Sequence, residues 1–183
     1  MKRIILLTLC LIVLSTYPLV GEAVDYKKVS LAHNIFNFHI VAPGVMRGSQ
    51  PSEGDFRILR EHYNVKTILN LREDKTHNKK EKRQVEELGM NFINIPMNGK
   101  EKQSIEKIER CLSIISDESN KPIFVHCRSG KDRTGLIFAA YRIKYDDWDL
   151  KDALTEMFAY GFDQDYCANL EKSLIEWNNW RGR

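Results

Sequence analysis

The sequence predicts an α/β fold: a small, mostly parallel central sheet flanked by helices on both sides. Three observations predict it. Short apolar stretches rich in β-branched residues alternate with longer stretches whose apolar residues recur every three or four positions. Short links containing Gly, Pro, Ser or Asp join them. At 183 residues the chain has the length of one domain.

The first 23 residues differ from the rest. Lys2 and Arg3 precede a mostly apolar run from Ile4 to Tyr17, Pro18 breaks it, and Gly21 and Ala23 place small residues before a cut. This is the layout of a secretory signal peptide. The run is shorter than the ~20 residues a spanning helix needs, which leaves an uncleaved anchor as the alternative. Residues 1–23 are thus expected to be a signal peptide and 24–183 one domain. The mature protein is expected in a bacterial periplasm or secreted, free of the membrane after cleavage.

Residues 24–33 read as a tethered arm. Phe36, Phe38 and Ile40 alternate with polar residues as in a strand, and Val45–Arg47 pairs with it across a Pro43-Gly44 turn. Ser52 followed by Asp55 marks a helix start, with Phe56, Leu59 and Tyr63 inward. Val65–Leu71 is a strand. Thr76–Leu88 is a charged helix with Val85 and Leu88 inward, ended by Gly89. Phe92–Ile95 is a short strand. Ile105, Ile108, Leu112 and Ile115 line one face of a helix. Pro122–His126 is a compact apolar strand, followed by a largely buried helix over Thr134–Tyr145. Two more helices cover about Leu150–Tyr160 and Asp165–Trp180, with Trp177 and Trp180 as packing residues.

Composition narrows the function. With 43% hydrophobic and 29% charged residues, disorder, collagen-like repeats and a multi-span membrane protein are excluded. Twenty-eight basic against 25 acidic residues leave +3, too balanced for nucleic-acid binding by bulk charge. Any anion site has to be local. Four cysteines in a chain this long are not a disulfide framework. Cys111 and Cys167 are expected as small buried residues, with a disulfide between them as the alternative. His33, His39, His62 and His77 do not cluster, so no metal site and no cofactor are expected.

In open α/β sheets ligands bind at the carboxyl ends of the strands. After Val125 the chain reads His126-Cys127-Arg128-Ser129-Gly130-Lys131-Asp132-Arg133-Thr134-Gly135: a strand end, a tight loop and a helix start. Successive backbone amides in such a loop converge on an anion, and the helix N-terminus adds its dipole. Arg128, Ser129, Gly130, Lys131, Asp132 and Arg133 are the expected substrate-binding stretch, with the Arg133 guanidinium as a two-pronged fork. The same positive field favours the Cys127 thiolate. The Thr134 hydroxyl is expected to donate to that sulfur, and His126 to support the thiolate by fixing the loop rather than acting as a base. A thiolate below phosphate-binding donors can attack phosphorus in line, giving a cysteinyl-phosphate that water hydrolyses. A nucleotide P-loop is excluded, because Asp132 follows Gly130-Lys131 where Ser or Thr is needed. A buried structural Cys beside a structural Arg is the bland alternative, and agreement of several residue types at fixed spacing speaks against it.

His126-Cys127, five residues, then Arg133-Thr134 resembles the signature of the cysteine-dependent protein tyrosine phosphatase superfamily. Val45–Pro51, Lys66–Arg72, Asn94–Met97, Tyr141-Arg142-Ile143, Trp148, Glu156-Met157 and Gly161-Phe162 are similar to further segments of small dual-specificity members. With the signal peptide, the chain most resembles periplasmic bacterial dual-specificity tyrosine phosphatases over about residues 34–178. The resemblance implies their fold, a phosphorylated protein or small anionic phosphoester as substrate, and Cys127 and Arg133 as catalytic residues.

One departure matters. The family draws its acid from an aspartate in the loop after the Ile-Pro strand. That loop, Met97–Gln103, has no aspartate, and Lys100 sits near the expected place. Glu101 is its only carboxylate, and Asp132 within the cradle is the second candidate acid. Asn98-Gly99-Lys100-Glu101 is also similar to the loop of phosphatases that cleave inositol pyrophosphates. Gly130–Thr134 resembles phosphoinositide-type members. A serine alkoxide needs the acid most, a phenolate with a reference pKa of about 10 less, and an anhydride least. A weakened acid therefore favours phosphotyrosine over phosphoserine. It leaves an inositol phosphate or phosphoinositide phosphatase, or a phosphate-binding pseudophosphatase, as alternatives. A sulfurtransferase with a cysteine in an anion cradle fits the match outside the loop poorly.

Overall fold

The structure, a computed structural model, describes residues 34–182. The expected signal peptide and the 24–33 arm lie outside the described residues.

Five strands form one sheet: β1 (His39–Ala42), β2 (Val45–Gly48), β3 (Thr67–Asn70), β4 (Asn91–Asn94) and β5 (Ile123–His126). Their order is β1-β2-β5-β3-β4, with β1 and β2 antiparallel and every other pairing parallel. The helices are α1 (Glu53–His62), α2 (Lys75–Glu87), α3 (Ile105–Ser116), α4 (Asp132–Tyr145), α5 (Leu150–Ala159) and α6 (Gln164–Arg181). The predicted mixed α/β architecture is thus the observed one.

Strand alternation sorts the core onto two faces. Val45, Leu69 and Val125 pack with residues of α3–α6. Met46, Ile68 and Phe124 pack with Phe56 and Leu59 of α1 and Val85 of α2. Helix α4 is buried along most of its length, because α5, α6 and α3 cover it.

Local signals set the helix starts. Ser52 and Asp55 form a reciprocal capping box on α1. Asp74, Ser104, Asp149 and Asp163 cap α2, α3, α5 and α6. Helix α6 is kinked at Cys167. Cys111, Cys127 and Cys167 are free and buried.

Three expectations need correction. The first strand begins at His39, not Phe36, because Asn37 takes a left-handed turn (φ 55°) and leaves Phe36 exposed. Helix α4 starts at Asp132, two residues before the apolar pattern begins. Trp177 is fully buried, but Trp180 is 47% exposed because it lies in the outer last turn of α6.

Register positions the site. Gly48 and Asn70 both lie opposite His126, so β2, β5 and β3 end side by side where the chain turns into Cys127.

Candidate active site

Cys127 is fully buried at the end of β5, and the chain loops over it before α4. Gly130 has φ +72° and lies against the end of β2; a Cβ there would sit 2.7 Å from the Gly48 carbonyl carbon. Only glycine meets both demands.

Four successive carbonyls of the loop each face a polar partner, three of them from segments outside the loop. The Cys127 oxygen faces His126 Nδ1 at 3.0 Å. The Arg128 oxygen accepts from the Gln50 amide at 3.1 Å. The Ser129 oxygen accepts from Asn37 Nδ2 at 3.4 Å, and the Gly130 oxygen from Arg47 Nη2 at 2.9 Å. In a trans peptide the next amide points opposite to the carbonyl. Holding these carbonyls outward turns the amides of residues 128–131 to the other side, as an anion nest requires. The first turn of α4 adds its unpaired amides.

His126 is fully buried, and its Nε2 lies 2.8 Å from Glu81 Oε1. Glu81 Oε2 accepts from Asn70 Nδ2 at 2.7 Å and Gln50 Nε2 at 2.9 Å. Burial pushes the Glu81 carboxyl up, but the charge of His126 and hydrogen bonds from His126 and Gln50 outweigh this and hold it below its ordinary value. The ring thus sits between a backbone carbonyl at Nδ1 and a carboxylate at Nε2.

Arg47 enters from the opposite face of the sheet. It is fully buried, and its guanidinium lies 4.1 Å from the Tyr160 ring centre and 5.2 Å from that of Phe138. Burial pushes its pKa down to about 10, so it remains charged at neutral pH.

The rest of the site surrounds Arg133. Its Nη1 is 3.4 Å from the Met97 oxygen, and Gly99 lies close to its Nε. The Met97–Gln103 loop is pinned by buried Gln103, whose Nε2 donates at 2.9 Å to both Asn98 and Glu101 oxygens. Asn169 Nδ2 donates to the Lys100 oxygen at 2.8 Å, and Lys100 Nζ lies 4.3 Å from the Tyr166 ring centre. Glu101 is exposed, with Asn98 Nδ2 3.4 Å from its carboxylate. Asp132 accepts from the Asp163 amide at 3.0 Å. Beside it, the Cys167 thiol is pushed up to about 11, first by burial and then by the Asp132 and Asp163 carboxylates.

The family comparison agrees with this geometry. The model of the tyrosine phosphatase family matches residues 34–179. The chain belongs to the tyrosine phosphatase family. It is 26% identical over 130 residues to the dual specificity protein phosphatase TpbA of Pseudomonas aeruginosa, covering 70% of this chain and 57% of that one. It is 27% identical over 165 residues to the inositol diphosphatase SIW14 of Saccharomyces cerevisiae, covering 79% and 56%. The chain thus spans a little over half the length of these curated relatives. Among solved structures, the SIW14 core catalytic domain in complex with citrate matches with a TM-score of 0.66 at 24% identity, covering 80% of this chain and 94% of that one. TpbA in complex with pTyr matches with a TM-score of 0.65 at 22% identity, covering 76% and 83%. These two likenesses establish the shared fold.

The structure brings Cys127, Gly130, Asp132, Arg133 and His126 together at one strand–helix junction. Arg128 is exposed, and Lys131 lies across Gly161 with its ammonium 5.4 Å from the Phe36 ring centre. The expected bond from Thr134 to the Cys127 sulfur is not made; Thr134 Oγ1 is buried without a hydrogen-bond partner. Glu101 contacts its own loop rather than the cradle.

Sequence reasoning missed Asn37, Arg47, Gln50 and Glu81, which support the loop from outside. Glu81 carried a readable signal, since it lies on the inward α2 stripe with Asn78 and Val85. The other three are single polar residues whose partners lie on distant segments.

Proposed function

We propose that this phosphatase is an exported, metal-independent enzyme that hydrolyses phosphotyrosine monoesters, with phosphoserine and phosphothreonine as poorer substrates, through a cysteinyl-phosphate. The observation that carries this reading is the buried Cys127 under a loop whose four carbonyls are all held outward. The thiolate attacks phosphorus opposite the ester oxygen. The S–P bond forms as the P–O bond breaks, and the departing oxygen takes a proton from a carboxylic acid. Arg133 grips two equatorial oxygens as charge spreads over them. Water then attacks phosphorus, gives its proton to the same carboxylate and releases inorganic phosphate, restoring the thiolate.

Cys127→Ser is expected to fold, to bind inorganic phosphate or vanadate, and to lose turnover of p-nitrophenyl phosphate. Residual turnover above roughly a hundredth of wild type overturns the mechanism. Asp132 is the favoured acid because α4 fixes it, whereas Glu101 sits in a Gly-containing loop. Asp132→Asn should then lose more rate on phosphoserine than on phosphotyrosine, and least on p-nitrophenyl phosphate. An equal loss on all three assigns Asp132 to shaping the cradle, and the same series on Glu101→Gln tests the other carboxylate.

A second reading is favoured by the loop without aspartate and by the similarity to an inositol diphosphatase. On that reading the substrate is an inositol phosphate or pyrophosphate, whose phosphate leaving group needs the acid least. Phosphopeptides, phosphoinositides and inositol phosphates assayed side by side decide between the two. Export is tested by intact mass in the native host: a chain beginning at about Val24 outside the inner membrane supports it, and a full-length species held in that membrane overturns it.

A further inference from the structure

Of the four donors that hold the loop carbonyls outward, Arg47 alone is an arginine, and it makes no ion pair among the described residues. Its Nε is buried without a hydrogen-bond partner. A buried charge left unpaired is costly unless the site uses it. The groups that face it can be named from every side. Glu156 of α5 acts on it from a distance but is itself held by Arg142 of α4, at 3.1 and 2.9 Å. Tyr160, at the α5 C-terminus, offers its ring. His39 of β1 lies 4.5 Å from Tyr160 between ring centres, and the Arg47 charge acts on it. Arg142 itself opposes the charge, and Cys127, which shares the sheet face of Arg47 and Val125, favours it.

We infer that Arg47 is a positioning residue of the phosphatase reaction: it fixes the Gly130 carbonyl and supplies the buried positive charge that balances the Cys127 thiolate. The sign of the interaction agrees, since Cys127 is among the groups that favour the charged guanidinium. Geometry and charge both contribute. The Gly130 carbonyl held at 2.9 Å turns the Lys131 amide inward, which a point charge on a flexible stem reproduces poorly. The charge itself is buried on the same sheet face as Cys127, away from water, where electrostatic interactions are strong. This role rests on Cys127 being the nucleophile, as in the proposed function.

The test compares wild type, Arg47→Met and Arg47→Lys in the full chain. Alkylation of the Cys127 peptide by iodoacetamide is followed by mass spectrometry across pH 4–9, with kcat and KM on p-nitrophenyl phosphate and a thermal melt. Arg47→Met should move the alkylation midpoint up by about one pH unit or more and lower kcat at least about tenfold. Arg47→Lys should leave the midpoint within about half a unit of wild type yet still lower kcat, because the charge returns without the fork. A folded Arg47→Met with an unchanged midpoint overturns the electrostatic part. If that variant does not fold, Arg47→Lys decides: wild-type kcat overturns the positioning part, and a midpoint raised as far as one unit overturns the charge part. Should Cys127→Ser retain turnover, the nucleophile assignment fails instead, so the two failures are distinguishable.

Discussion

The two walls of the active site are built in opposite ways. The cradle wall, residues 126–133, is held by polar groups from β2 and the turn after it, α2 and the segment before β1, and Arg47 and Glu81 among them are buried. The facing loop, 97–103, exposes Lys100, Glu101 and Lys102 and relies on one buried pin, Gln103, with surface bonds to α6. On the proposed function, the difference fits the task of each wall. A transferring phosphoryl group has the same shape in every substrate, so its donors gain from being fixed. The leaving group differs between substrates, and a wall facing solvent can vary without disturbing the core.

The sharpest way to break the cradle wall is Glu81→Ala. It removes the buried partner of the His126 ring and should cost about 3–5 kcal/mol in urea unfolding at pH 7. Its pH dependence has a definite sign. The folded Glu81 carboxyl is held below its ordinary value, so its contribution is present above the unfolded pKa of about 4.3 and is lost as pH falls through the folded value. The gap in urea midpoint between wild type and Glu81→Gln should therefore narrow from pH 6 to pH 3. A gap that is constant with pH counts against an ionised Glu81.

Gly130→Ala attacks the same wall from the backbone. The added methyl meets Gly48 carbonyl atoms at 2.7–2.8 Å, at a φ that L-residues adopt at a cost of roughly 1–2 kcal/mol. We expect a measurable loss of thermal stability and a far larger loss of kcat, because the amides of the nest move. Retained kcat indicates that the nest tolerates displacement and that the contrast between the walls is overstated.

The mildest change is in the facing loop. Lys102 pairs with Glu176, both half exposed, and Lys102→Ala should change unfolding free energy by less than about 1 kcal/mol. A larger loss shows that the loop is as firmly built as the cradle.

Much of the fold was legible because its signals are local. Ser52 with Asp55 marks a capping box and Gly89 ends α2; both are visible within four residues of sequence and both occur as expected. The alternation at Phe36–Ile40 misled because Asn37 spends its side chain on Ser129 and Tyr160, more than ninety positions away. Asp132 read as a candidate acid within the cradle, and the structure adds that it takes the Asp163 amide at the start of α6.

Sequence by itself determined the strand–loop–helix junction and named Cys127 as nucleophile candidate and Arg133 as candidate fork. Those properties come from residue type and spacing over about ten positions. Only the tertiary structure decided what holds the junction in shape: Asn37, Arg47 and Gln50 gripping loop carbonyls, and Glu81 gripping His126. The physical reason is that a hydrogen bond between distant segments depends on strand order and register, and the parallel pairing of β2 and β3 with β5 exists only once the sheet has assembled.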